Sequence, residues 1–324
     1  MFRNFAAGIA ITAAIVIAAA GPASAQSWPS RPVKIIVAYP PGGTIDITAR
    51  TLSEPLREIW GQPVVVENRG GASGTIGANA VAKSPPDGYT FLLAALPEIA
   101  IAKVTFKDLP YDPQKELAPI SLVAHSPFVM VVHPDVPAKN LAEFIALAKR
   151  EPGKLNYGTS GPGTTTHFVA EFFRLAAGIE ITHVPYRGSG QMMVDLLGNH
   201  VQLAFDTVPT VKGHIESGKL RAIGAAMAKR SPAAPDIPTF DEQGLTGFIG
   251  GSWVGLLAPA GTPVAILAKA EADIRSVLQR GVAAELAKRG LEPAGTTAAE
   301  FRDFIASESQ RWAEVAQRAG IKAE

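Results

Sequence analysis

The residues best placed for chemistry lie in two glycine-rich turns. Each sits between a β-rich run and a helical period. The first is in AYPPGGTIDITAR, Ala38–Arg50. Gly42 and Gly43 allow the backbone to approach a bound group closely. The first N–H groups of the following helix have no partner within it and lie at the positive end of its dipole. Such a turn is either an anion site or an ordinary strand–turn–helix connection. The second, YGTSGPGTTTH at Tyr157–His167, repeats this order and adds the hydroxyls of Thr159, Ser160, Thr164, Thr165 and Thr166. Facing each other, the two turns would hold one or two carboxylates through backbone N–H donors, with little need for cationic side chains.

Enzymatic patterns are incomplete. Gly213–Lys219 approaches a P-loop, but Leu220 stands where Ser or Thr is required, so the segment reads as a helix ending at Gly218 before a strand. Neither Ser73 nor Ser160 completes G-x-S-x-G. The 6 histidines show no metal-ligand spacing. His167 could pair with Ser160 as a dyad, or simply belong to the first turn of a helix. Met192-Met193 and Phe172-Phe173 read as core. No catalytic residue, metal site or cofactor is implied.

Alternating elements must position these turns. Val33–Val37 is β-rich. Ile45, Ala49, Leu52, Leu56 and Ile59 then fall on one helical face, with Pro55 expected to kink the helix or cost it a hydrogen bond. Val64–Glu67, a helix opened by Gly71–Thr75, and Tyr89–Leu93 complete a β-α-β-α-β run, which calls for a parallel sheet covered by helices. Between Pro119 and Pro134, two strand-like runs, Ile120–Ala124 and Phe128–Val132, follow each other without a helix. Alternation resumes at Leu141, and a second strand-only passage comes at Trp253–Ala258. Thr262-Pro263 reads as an N-cap with proline at the first helical position, opening a helical tail. The pattern is α/β in two lobes with two crossings: residues 26–127 with 249–324, and 128–248. A cleft between lobes suits a small ligand and can close by a hinge.

Composition narrows the class. The chain has 324 residues, no cysteine and a formal net charge of +1. Disulfides, thiolate metal sites and a lipoprotein anchor are excluded. Residues 1–25 combine Arg3, an apolar run from Phe5 to Ala20 and the small-residue site Ala23-Ser24-Ala25. These are the three parts of a secretory signal peptide, so the mature chain is expected to start at Gln26. Without Arg3 the remainder is formally neutral. Nucleic acid and anionic membranes, which favour basic surfaces, are not expected partners.

Several stretches carry a resemblance to a known family: WPSRPVKIIVAYPPGGTIDITAR, GQPVVVENRGGASGTIGANAVAKSPPDGYT, LPYDPQKELAPISLVA, GKLNYGTSGPGTTTH, ITHVPYRGSG, VQLAFD and GLLAPAGTP. In this order they resemble the tripartite tricarboxylate transporter receptors, the Bug family of periplasmic solute-binding proteins. The resemblance implies a two-lobed, type II-like periplasmic binding protein fold. It also implies a small carboxylate ligand (a mono- or dicarboxylate, aromatic acids included) and a membrane permease of one large and one small subunit. A monomer is expected. By matching position, the ligand carboxylate is held by Tyr39, Pro41, Gly42, Gly43 and Thr44, partly through water. Ser73 and Gly74 reach the cleft from a second loop. Thr159, Ser160, Gly163, Thr164, Thr165 and Asp206 face it from the other lobe. Asp46 is expected to serve the turn, because an anion there would repel a carboxylate. The segment Ala95–Ala100 departs from the family, and its Glu98 either lines the cleft or, as expected here, is solvated. A periplasmic carboxylate sensor would share the fold and pocket.

Overall fold

A computed structural model describes residues 28–323; the signal peptide expected over 1–25, and the start at Gln26, lie outside them. Short β-branched runs alternating with amphipathic helices build two sheets of one design. In the first, β1 (Val33–Val37), α1 (Thr44–Trp60), β2 (Val64–Asn68), α2 (Thr75–Ala82) and β3 (Thr90–Ala94) follow in turn. β1 pairs in parallel with both β2 and β3. Parallel neighbours require helical crossovers and are covered on both faces. The sequence VKIIV of β1 fits, with all but Lys34 buried. A wide turn at Pro97–Ile101 leads into α3 (Ala102–Thr105).

β4 (Leu117–Val132) then runs for 16 residues. The sequence reads as two strands here, but Pro119 is absorbed by a shift of register rather than a break. The next elements are α4 (Leu141–Arg150), β5 (Asn156–Thr159), α5 (Thr165–Ala177), β6 (Thr182–Pro185), α6 (Ser189–Leu197), β7 (Leu203–Thr207), α7 (Val208–Glu216) and β8 (Arg221–Ala225). β9 (Gly251–Pro259), α8 (Val264–Val277), α9 (Ala283–Lys288), β10 (Glu292–Pro293) and α10 (Ala298–Ala319) close the chain. Thr262 does not cap α8. Pro263 holds that position, and the Thr262 hydroxyl donates to Pro259 O at 2.8 Å.

The first sheet has the order β2-β1-β3-β9-β4, and the second β6-β5-β7-β4-β8. In each, the antiparallel fourth strand belongs partly to the chain's passage between the sheets. β4 pairs with β9 through Leu117–Pro127, then with β7 and β8 through Phe128–Val132. β1 and β5 hold equivalent places, each with parallel neighbours on both sides. The crevice outside the carboxyl end of such a strand is where an α/β sheet binds ligands. Both glycine-rich turns leave from these ends.

Aromatic packing holds each sheet to its helices. Trp28 meets Trp60 and Phe91 edge-on at 5.2 and 6.2 Å. In the second sheet Phe173, Phe205, Phe240 and Phe248 form one buried cluster. Helix α10 crosses β9 where Gly255 has no side chain: a Cβ there would lie 2.1 Å from Phe301 Cζ, and Phe301 is fully buried. Gly255→Ala should therefore cost about 1–3 kcal/mol by overpacking, read as a lower urea midpoint. Because the two groups are in contact, adding Phe301→Leu should recover part of that loss, so that the double variant falls short of the two single costs combined.

Candidate functional site

A cleft of about 540 Å³ opens where the carboxyl ends of the two sheets meet. Tyr39, Pro40, Pro41, Gly43, Thr44 and Ile45 form one side, with Ser73, Ala95 and Pro97. Ser160, Thr164, Thr165, Thr166, Ser189, Asp206, Thr207 and Thr210 line the other. β4 and β9 supply Ser126, Phe128, Ser252 and Val254. The lining thus brings together the expected Tyr39, Pro41, Gly43, Thr44, Ser73, Ser160, Thr164, Thr165 and Asp206.

The donors are mainly backbone. Gly43 occupies the cap position of α1 with φ −80° and ψ 170°, and no side chain caps the helix. Among the described residues, the N–H groups of Gly43, Thr44 and Ile45 have no protein acceptor. Thr164 holds the cap position of α5, again without a side-chain cap. Its hydroxyl donates to Gly161 O at 2.7 Å, while Thr166 Oγ1 accepts from Ser160 N–H at 2.9 Å. This tightens the turn and leaves the α5 start facing the cleft. Two further helix starts reach the same space, through Ser189 of α6 and through Thr207 and Thr210 of α7. Sequence reading missed them. Gly188-Ser189 and Thr207-Val208-Pro209 were the available signals, as small or hydroxyl residues and an early proline mark helix N-termini.

Four helix dipoles, each worth roughly half a positive charge at its N-terminus, converge on a lining that contains no Lys, Arg or His among the described residues. Its acid is Asp206, at the end of β7. Asp206 Oδ1 accepts from Thr207 N–H at 2.7 Å, while Oδ2 is buried without a partner. Burial pushes its pKa up to about 6, against the N–H of Thr207 and the nearby hydroxyls of Thr210 and Ser189. Those hydroxyls stand close enough to favour the anion, yet neither completes a hydrogen bond to Oδ2.

Other expected residues lie outside the lining. The N–H of Gly42 donates to Asp46 Oδ2 at 2.9 Å, so it closes the turn. Asp46 serves the helix start as expected: it also accepts from Asn68 and Arg50, and the Arg50 guanidinium holds its carboxyl down at about 2. Thr159 is buried beneath the second turn, bonded to His183 Nε2 at 2.7 Å. Gly163 donates to His167 Nδ1 and borders a neighbouring cavity of about 210 Å³. His167 stacks on His183 with ring centres 4.2 Å apart, whereas Ser160 Oγ bonds to Thr166, so the two form no dyad.

Gly74 lies behind the wall at φ +90°, where a Cβ would come within 2.8 Å of Glu98 Oε2. Glu98 corrects an expectation, because it is fully buried rather than solvated. Tyr39 Oη donates to Glu98 Oε2 at 2.6 Å, and Ala95 N–H donates to Oε1 at 2.7 Å. One carboxyl therefore ties together two wall segments and packs against the Ser73-Gly74 turn. The wide turn at Pro97–Ile101 brings it there, a departure from helical period that alternation does not reveal.

Burial raises the Glu98 pKa from 4.5 to about 7, outweighing the bonds from Tyr39 and Ala95. The folded state then binds this proton more tightly than the unfolded chain. The resulting stability is complete below pH 4.5 and lost as pH rises to about 7. Glu98→Gln, which mimics the protonated group, should flatten that fall by about 3 kcal/mol. Urea midpoints of both proteins at pH 5 and 8 check this: an equal pH response in the variant would exclude Glu98 as its source.

The sequence profile of the tripartite tricarboxylate transporter family receptor matches residues 48–321. The protein BugT of Bordetella pertussis is 39% identical over 313 residues, covering 95% of this chain and 96% of BugT. The structure of R. palustris Rpa4515 with adipate has a TM-score of 0.82 at 35% identity, covering 92% of this chain and 100% of the other. MatC from Rhodopseudomonas palustris with bound malate has a TM-score of 0.76 at 31% identity, covering 89% and 99%. The fold is thus that of the two-lobed periplasmic binding proteins, and the family consists of solute-binding receptors rather than enzymes. Among the described residues no helix is long and apolar enough to cross a membrane. With the profile spanning most of its length, the chain belongs to the tripartite tricarboxylate transporter receptors, in the Bug group of periplasmic solute-binding proteins.

Proposed function

We propose that the protein captures one small mono- or dicarboxylate in the cleft and delivers it to a membrane permease of one large and one small subunit. Residues 1–25 direct its export to the periplasm and are removed there. It acts as a monomer, and its lobes, 26–127 with 249–324 and 128–248, close over the ligand. The observation that carries this reading is the convergence of four helix N-termini on a lining without cationic side chains. N–H groups at helix starts favour anions and take up carboxylate oxygens directly. Adipate and malate, named with the two structural relatives, are of the size such a cleft admits.

A thermal-shift screen of mono-, di- and tricarboxylates tests it, since binding to the folded state raises stability by mass action. Calorimetry of the best acid should then give one site per chain. Response to a cationic solute, with none to any acid, would reject the proposal. Gly43 gives a sharper test. Its φ of −80° suits proline, which removes the N–H without demanding a new backbone. A hydrogen bond to a charged group contributes about 1.5–3 kcal/mol, so folded Gly43→Pro should bind about 10- to 150-fold more weakly. Gly43→Ala should bind like the parent, because a Cβ there meets only Pro40 O at 3.9 Å. Parent-like affinity in folded Gly43→Pro would remove that N–H from the site.

A further inference from the structure

The cleft sets a problem of charge. Its lining offers an anion neutral N–H and O–H donors, no cationic side chain among the described residues, and the carboxyl of Asp206. Asp206 is only 5% exposed, and its Oδ2 has no partner in a lining otherwise rich in hydroxyls. A buried polar atom left unpaired is costly unless a ligand completes it. If ionised, that oxygen could only accept, and it would face another acceptor in the ligand's carboxylate. If protonated, it carries the donor that the ligand lacks.

We propose that the receptor binds its carboxylate together with one proton, which Asp206 Oδ2 holds and donates in a hydrogen bond to the ligand. The balance is receptor plus anion plus one solvent proton giving the complex; no bond other than O–H forms. The inference rests on the carboxylate reading of the cleft.

The surroundings of Asp206 favour this proton. No charged side chain contributes to its titration; burial is the main cause of its raised pKa. The charged groups of the elements packed around it are engaged elsewhere. On α6, Asp195 accepts from Tyr186 Oη; on α5, Glu171 holds Tyr157 and Arg174. Lys212 of α7 donates to Ala233 O with Glu216 3.9 Å away, and His214 lies in that helix's last turn. Arg221 of β8 donates to Val136 O, and His125 of β4 packs edge-on against Phe304. His167 and His183 stack on each other. Across the cleft, Asp46 is bonded to Arg50, and Glu98 sits behind Tyr39. An anion arriving beside Asp206 meets no cationic side chain in the lining among the described residues, so it raises the acid's proton affinity further.

Calorimetry of the full chain with adipate, malate and benzoate tests the proposal, each acid titrated in triethanolamine and in Tris, neither of which offers a competing buffer anion. These buffers differ in ionisation enthalpy, so proton uptake appears as a difference in observed heat. For the acid that binds, uptake at pH 7.5 should approach one proton, and affinity should fall about tenfold per pH unit from 7 to 8.5. Asp206→Asn keeps the shape and can present an amide N–H in place of the O–H. It should abolish the uptake, make affinity independent of pH, and bind at pH 8 at least as tightly as the parent. Equal heats in both buffers for the parent would overturn the proposal whatever the variant does. So would Asp206→Asn binding tenfold more weakly at every pH, because the ionised carboxylate would then be accepting a donor from the ligand. Uptake lost in Glu98→Gln but kept in Asp206→Asn would place the proton on the opposite wall and overturn it as well. If no acid binds, the carboxylate reading itself falls, an outcome distinct from binding without uptake.

Discussion

An α-helix cannot satisfy the N–H groups of its own first turn, and the cleft is organised around that constraint. α1 and α5 begin with Gly43 and Thr164 in cap positions that lack a side-chain acceptor. Two helix starts away from the cleft use such acceptors. Asn140 caps α4 with its side chain, and Thr297 and Glu300 form a reciprocal capping box at α10. The starts of α4 and α10 are thus closed by side chains, whereas the four at the cleft carry no side-chain cap, a feature they share with α2, α8 and α9. The residues that could have closed α1 and α5 are occupied: Asp46 takes the N–H of Gly42 and the guanidinium of Arg50, and Thr164 donates to Gly161 O.

The sheets bring these open ends together. A parallel strand leaves its carboxyl end on the side where the next helix begins, so β1 and β5 each deliver a turn and a helix start to the same edge. β4 passes from one sheet into the other as a single strand, and β9 pairs with it at nine positions between Leu117 and Pro127. Their residues Ser126, Phe128, Ser252 and Val254 lie in the cleft between the two sets of donors. The same two strands therefore separate the walls and line the space between them.

Much of this was legible in the chain. Period-2 and period-3.6 patterns located the strands and helices of both lobes, and PPGGT and GPGTTT marked the two central turns. What escaped had identifiable causes. Ile120–Ala124 and Phe128–Val132 read as two separate runs, yet pairing with β9 and a shifted register keep β4 continuous through both of its prolines, Pro119 and Pro127. Glu98 read as a solvated acid, because charged residues rarely enter cores without a counter-ion. It is instead buried on two hydrogen-bond donors, an arrangement that depends on a hydroxyl 59 residues earlier in the chain. Gly42, Gly74, Thr159 and Gly163 sit in the cleft's loops but outside its lining. Sequence spacing gives the loop, whereas the direction of Gly42, Thr159 and Gly163 is set by bonds to Asp46 and the two histidines, and Gly74 is packed against Glu98.

A site built from dipoles recognises its ligand differently from one built from charges. A lysine attracts an anion over a Debye length of about 8 Å in physiological salt, largely regardless of the anion's shape. The field of a helix start fades within its first turn, and its N–H groups act only at hydrogen-bond distance. Selectivity must then come from contact geometry: where the open N–H groups point, how far apart the turns of Gly43 and Thr164 stand, and which hydroxyls lie between. Neutral donors also leave Asp206 and Glu98 without a compensating cation, so burial dominates both acids and raises both. The absence of lysine from the lining thus has two linked effects. Recognition becomes short-ranged, and the two buried carboxyls become sensitive to pH between about 6 and 7.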